Sequence, residues 1–443
     1  MSDQDLGQTG IFDATRLGLP KMLLLGFQHT FAMFGATVLV PLLTGLPVST
    51  TLLMAGLGTL LFHLLTKGKV PVFLGSSFAF LGGYAAVAPM LDGPLGPGTV
   101  PNTEMLPYAC GGVFCAGLLY AVLAALIRAF GAKRVMRFFP PVVTGPIIIS
   151  IGLILAPSAI NNCATNWPIA LVALAVVVIC NIWGKGMIKI IPIIMGVVVS
   201  YLAALATGAI DFTAFHEESR IFAMAPITLA KFDVSSILTV MPIALATMME
   251  HIGDISAISA TTGVNYIASP GLHRTLLGDG LASCLSAFFG GPANTTYGEN
   301  TGVLALTKVY DPRVIRIAAL VAVILSFFPK FSILIETIPS AIIGGISLIL
   351  YGTISAVGVR NVVENQVDFT ESRNLIIAAI ILVSALGFNT VGGVTFHVAG
   401  TAITLSGLAI AAIAGIVLNA VLPGNTYDFG SDPDGDKAVV FKV

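Results

Sequence analysis

Long apolar runs separated by short polar patches fill the chain from about residue 22 to residue 422. A helix crossing a bilayer needs about 20 mostly apolar residues. Windows of that kind fall at about 22–43, 48–66, 71–91, 107–129, 139–158, 167–183, 190–209, 237–259, 272–290, 294–309, 313–330, 332–357, 373–389 and 401–422. The pattern predicts an all-α polytopic membrane protein with 14 transmembrane segments. Two windows break the helical pattern. Pro71–Phe80 (PVFLGSSFAF) and Pro292–Thr307 (PANTTYGENTGVLALT) begin with residues that favour extended backbone and end as short helices. Short extended stretches are therefore expected in spans 3 and 10, each followed by a half-helix whose free N–H groups face a ligand.

Charge tests the count. With the N-terminus inside, only Arg220, Lys231 and Lys330 of the 21 basic residues fall outside. This bias follows the positive-inside rule and supports 14 spans with both termini cytoplasmic. The expected division is a cytoplasmic tail 1–21, a first repeat 22–209, an outer connector 210–236, a second repeat 237–422 and a cytoplasmic tail 423–443. The halves echo one another. Gln28-His29 matches Glu250-His251 (250 − 28 = 222), and Ser76-Ser77-Phe78 matches Thr295-Thr296-Tyr297 (295 − 76 = 219). Phe139-Pro140 matches Ile338-Pro339 (339 − 140 = 199). Each match lies seven spans from its partner. Seven is odd, so the repeats are expected to be inverted in the membrane.

Composition agrees: the chain is 56% hydrophobic and 10% charged, with a mean hydropathy of +0.95. No cleavable signal peptide is expected in the polar first 20 residues, and the acidic, Gly-rich C-terminal tail is expected to be mobile. The five cysteines lack CxxC spacing and read as small membrane hydrophobes. A net charge of −1 speaks against nucleic acid as a partner. The six histidines form no HExxH, so no metal site, catalytic residue or cofactor is expected.

Ionisable groups within spans are few, and such groups mark substrate or proton paths. Glu250 and Asp254 are four residues apart on one helix face. Asp279 lies in span 9, where it reads as an interfacial or packing residue, and Glu299 opens the half-helix of span 10. No Lys or Arg in any span is expected to neutralise them, so each acid must be protonated or paired with donors. His29 and His251 read chiefly as helix–helix hydrogen-bonding groups. Phe78, Tyr297 and Tyr351 could stack on a flat ring. Carboxylates accept hydrogen bonds, half-helix starts donate them, and rings flank the gap. A small, planar, neutral molecule with N–H donors and carbonyl acceptors fits, as a pyrimidine or purine base does.

The chain resembles the nucleobase–ascorbate transporter family, in particular its uracil:proton symporter branch. The stretches that carry the resemblance are QHTFAMFGATVLVP (28–41), GSSFAF (75–80), EHIGD (250–254), PGLHR (270–274), NTTYGENTGVLALT (294–307) and GGISLILYG (344–352). Glu299-Asn300-x-Gly302-x4-Thr307-Lys308 matches the family signature. The resemblance implies two inverted seven-span repeats and usually a homodimer in the bilayer. It also implies a core domain (spans 1–4 and 8–11) and a gate domain (spans 5–7 and 12–14). It places uracil on Glu250 and Glu299 and on the backbone N–H groups of Phe78 and Gly298. Tyr297 would shape the pocket and Tyr351 would lie on the gate side. Proton coupling would fall to Asp254, Glu250 and His251, with the proton as coupling ion in the bacterial inner membrane. One departure stands out: the best-known uracil carriers have His, tied to proton coupling, where this chain has Asp254. A purine or xanthine permease of the same family is the alternative. An anion carrier of the same seven-plus-seven fold should have a cationic or neutral residue in place of Glu299.

Overall fold

The computed structural model describes residues 10–92, 99–131, 134–135, 137–398 and 401–424. The tail expected to be mobile lies, from residue 425 on, outside the described residues. Helices α1 (Leu19–Thr44) and α2 (Val48–Leu65) lead into strand β1 (Leu74–Ser76), a 3-10 turn at Phe78–Phe80 and the short helix α3 (Leu81–Val87). Then come α4 (Leu106–Phe130), α5 (Pro141–Ala164), α6 (Trp167–Ile182) and α7 (Pro192–Ala206). After the connector, α8 (Val234–Val240) continues into α9 (Ile243–Thr262), followed by α10 (Leu272–Phe288), strand β2 (Asn294–Thr296) and α11 (Gly298–Thr307). The chain continues through α12 (Pro312–Ser326), α13 (Pro329–Glu336), α14 (Ser340–Glu364) and α15 (Ser372–Thr390). It ends in the hairpin β3 (Val394–Val398) and β4 (Thr401–Leu405) and helix α16 (Gly407–Val421). Proline opens several helices at their first or second position, where its missing N–H costs nothing.

Seven helices among the described residues are long and apolar enough to cross a membrane, and α12 with α13, bent by 89°, makes an eighth if counted as one span. Shorter apolar helices lie at Phe78–Val87, α6, α7 and α16. Two expected windows are corrected. The window at 332–357 is not one helix. Pro339 is the extended N-cap of α14, so the long helix starts at Ser340 and runs on to Glu364, and residues 329–336 form a separate helix. The window at 401–422 opens with a strand. Its alternating β-branched run TAITL pairs back on β3 in register from Val394↔Leu405 to Val398↔Thr401, and helix begins only after the Ser406 cap.

The helices pack in two groups. In one, α10 lies against α4 and α2, α12 against α2 and α1, and α11 against α9 and α1. The α4–α10 seam is close because Gly117 faces Gly280: a Cβ on Gly117 would sit 2.5 Å from the Gly280 carbonyl oxygen, and one on Gly280 would sit 2.6 Å from that of Gly117. In the other group, α14 lies along α5 and α6, α6 on α7, and α15 on α16 and α5. Helix α9 bridges the groups through α5 and α16.

Candidate functional site

The two broken segments meet at the centre of the first group. Strands β1 and β2 pair antiparallel, Leu74 opposite Thr296, Gly75 opposite Thr295 and Ser76 opposite Asn294. Hydroxyls from the helices around them cap their backbone edges, as buried backbone requires. Thr59 Oγ1 both accepts from Leu74 N (2.9 Å) and donates to Leu74 O (3.1 Å). Ser283 Oγ does the same for Asn294, at 3.1 and 2.6 Å. Ser76 Oγ donates to Thr37 O at 3.0 Å. The crossing ends in two helix starts, Phe78 before α3 and Gly298 at the head of α11. First-turn N–H groups have no acceptor within their own helix.

A cavity of about 330 Å³ opens beside this crossing. Its inner wall is Ser76, Phe78, Glu250, Asp254, Thr296, Tyr297 and Gly298; its far wall comes from α5 and α14. Arg360, whose side chain is 61% exposed, also lines it, so the cavity reaches water at that end of α14.

Glu250, Asp254, Phe78, Tyr297 and Gly298 thus come together on one cavity. Glu299 occupies the first turn of α11, directly after Gly298. The Tyr297 ring is fixed rather than free. Its hydroxyl donates to Ser76 O (3.0 Å) and accepts from Thr37 Oγ1 (3.3 Å), while its backbone N–H donates to Phe73 O (3.1 Å). Tyr351 is buried and meets Phe78 edge-on, ring centroids 5.9 Å apart at 75°, so it backs Phe78 instead of lining the cavity.

Two placements, those of Asp279 and Arg360, differ from the sequence expectation. His251 packs between helices, the reading the sequence chiefly gives it. It is fully buried, with Nδ1 3.1 Å from Asp279 Oδ2 on α10, and Asp279 is equally buried rather than interfacial. Adjacent residues on a helix point about 100° apart, so a neighbour of Glu250 cannot share its face. The four-residue spacing does bring Asp254 to that face. Because α14 extends to Glu364, Arg360 lies within a helix and on the cavity, bonded through Nε to Glu364 Oε1 at 2.5 Å. His29 contacts a helix, as expected, with Nδ1 3.0 Å from Asn300 Nδ2. Sequence reasoning missed Thr296 as a site residue. Its hydroxyl donates to Asp254 Oδ2 at 2.6 Å. It also missed Thr144 and Asn361 on the far wall, joined by a 2.9 Å hydrogen bond.

Crossed broken segments, an acid-lined cavity between two helix groups and many apolar helices define a multi-pass membrane transporter. The chain belongs to the permease family Xan_ur_permease, which it matches over residues 20–394. It is 41% identical over 418 residues to the uracil permease of Bacillus caldolyticus, covering 90% of this chain and 91% of that protein. It is 37% identical over 426 residues to the putative pyrimidine permease RutG of Escherichia coli strain K12, covering 93% and 92%. Solved structures share the fold at low identity. The transmembrane domain of the cyanobacterial bicarbonate transporter BicA aligns with a TM-score of 0.60 at 15% identity, over 93% of this chain and 99% of that domain. Murine Slc26a9 in its inward-facing state aligns with a TM-score of 0.62 at 14% identity, over 95% and 74%.

Proposed function

We propose that this protein imports uracil by proton symport, working by alternating access as a homodimer in the cell inner membrane with both termini cytoplasmic. The observation that carries the reading is the cavity of about 330 Å³ in which Glu250, Asp254 and the Gly298 helix start converge beside Phe78 and Tyr297. In this reading Glu250 and Glu299 accept the two N–H groups of a pyrimidine-dione, helix-start N–H groups donate to its carbonyls, and the Phe78 face covers its ring. The names of the relatives support uracil over a purine.

In this reading the 14 spans form two inverted repeats. The helix group holding the crossed strands is the core that carries the base, and the group of α5–α7 and α14–α16 is the gate against which it moves. The cavity reaches the end of α14 that bears Arg360, which the charge bias places inside, so this is the release side. Asp254 and Glu250 carry the coupling proton. His251, paired with Asp279 at 3.1 Å, serves to fix α9 against α10.

The test is uptake of radiolabelled uracil by transport-deficient cells expressing the chain, competed with thymine, xanthine, hypoxanthine and ascorbate. Uracil uptake should collapse on adding a protonophore and fall as external pH rises, since both remove the driving protons. Uptake that needs sodium and ignores the proton gradient would refute symport, and uptake competed away by xanthine but not by excess uracil would refute the substrate.

A further inference from the structure

Asp254 is tied to the strand that delivers the binding site. Thr296 is 2% exposed, its backbone is locked in the strand pair opposite Leu74, and its hydroxyl donates to Asp254 Oδ2 at 2.6 Å. That distance falls in the range of an O–H donor on an ionised carboxylate. Both residues line the cavity. Residue 297 follows at once, and Gly298 heads α11, close enough that a Cβ added there would lie 3.8 Å from Asp254 Oδ1.

A threonine hydroxyl carries one donor and two acceptor sites, and its proton rotates to suit the partner. An ionised Asp254 can only accept, so it holds the Thr296 proton. A protonated Asp254 has an O–H of its own to give. Thr296 then accepts that proton, and its own O–H turns toward the cavity. We propose that Thr296 is a proton-linked binding residue: it converts protonation of Asp254 into a hydrogen-bond donor, its own O–H, for a carbonyl oxygen of the bound base. This rests on the proton-symport reading. The step moves one proton from solvent to the Asp254 carboxylate and rotates one hydroxyl; no covalent bond is made or broken elsewhere. By linkage, base binding must then favour proton binding by the same factor.

Other ionisable groups come from α9 itself and from the elements packed around it. Glu250 lies one turn back on α9 and Glu299 one residue past Gly298 in α11. Arg360 and Glu364 face the cavity from α14, already bonded to each other. His251 and Asp279 pair behind α9.

The experiment is calorimetric binding of uracil to the purified protein in detergent from pH 5.5 to 8.5, in buffers of differing ionisation enthalpy. The wild type should bind more weakly as pH rises, by about tenfold, within the usual range of coupling, and take up protons on binding. Thr296→Val keeps the shape and removes the hydroxyl. It should flatten the pH profile and lose most of the proton uptake, while Thr296→Ser restores both. Asp254→Asn, with a permanent amide donor, should be flat and should bind near the wild type's low-pH affinity. If Thr296→Val unfolds, Thr296→Ala replaces it. A full pH profile in the valine or alanine variant overturns the inference alone. A wild type with no proton uptake overturns the inference together with the symport reading, and does so before any substitution is made.

Discussion

Gly75→Ala should damage both stability and binding, through Tyr297. Gly75 faces Thr295 across the strand pair, and a Cβ there would sit 2.5 Å from Cε2 and Cζ of Tyr297 and 2.7 Å from its hydroxyl oxygen. Carbon atoms in contact prefer about 3.5–4.0 Å, so the ring must retreat by about 1 Å. The retreat breaks the hydrogen bonds from the hydroxyl to Ser76 O (3.0 Å) and from Thr37 Oγ1 (3.3 Å). Each contributes about 0.5–1.5 kcal/mol, and overpacking adds about 1–3 kcal/mol, giving a total of about 2–6 kcal/mol. The displaced ring enters the cavity, so uracil affinity should fall at least about tenfold, the equivalent of 1.4 kcal/mol. Thermal unfolding in detergent and calorimetry read the two effects. Tyr297→Ala alone leaves a hole, but Gly75→Ala with Tyr297→Ala removes the clash. The double variant should therefore be at least about 1 kcal/mol more stable than the sum of the two single changes. Strict additivity, or an alanine variant that melts and binds like the wild type, would refute the reasoning.

Glu299→Gln should abolish measurable uracil binding without lowering the unfolding midpoint, because the amide keeps the shape but loses a charge-assisted acceptor, about 1.5–3 kcal/mol; calorimetry beside a thermal melt checks it. His251→Leu leaves buried Asp279 without its neighbour at 3.1 Å and should cost about 3–5 kcal/mol, whereas adding Asp279→Leu should recover much of the loss in the melt. Asp254→Asn should leave uracil binding within a few fold and permit exchange of bound for free uracil in proteoliposomes, but remove accumulation driven by a pH gradient; lost binding with coupling intact would place Asp254 among the substrate contacts instead.

The legible parts of this chain are those where the bilayer leaves little choice. An intramembrane carboxylate is costly, so Glu250, Asp254 and Glu299 stood out, and spacing alone put the first two on one face of α9. The strand segments were legible because Gly, Ser, Thr and Pro interrupt otherwise apolar windows. What hydropathy could not see is where a helix stops inside an apolar run. Residues 329–364 are apolar enough to hide the break at Pro339, and the shifted window made Arg360 look like a loop residue when it sits in α14 on the cavity. The Thr296–Asp254 bond joins residues 42 positions apart. Threonine is common in membrane helices, so only the fold makes that pair specific. The helix–helix reading of His251 was legible, because a residue next to a site residue on a helix faces elsewhere.

The register of the strand pair carries the repeat one step further. The offset of 219 between Ser76 and Thr295 sends Gly75 to Asn294 (75 + 219 = 294), so it maps the observed pair Gly75–Thr295 onto the observed pair Ser76–Asn294. Two segments related by a two-fold axis must pair in this self-consistent way, and a slip of one residue would destroy the match. The same offset sets Tyr297, Gly298 and Glu299 against Phe78, Ala79 and Phe80 (299 − 219 = 80). One scaffold therefore presents two different chemistries at its centre. The first half offers a fixed apolar shelf, Phe78 backed edge-on by Tyr351 at 5.9 Å. The second offers a close-approach glycine, Gly298, at the head of α11, with Glu299 next in sequence. A flat base has an apolar face and a polar edge, and a site built from two unequal halves of one repeat can meet each with a different half.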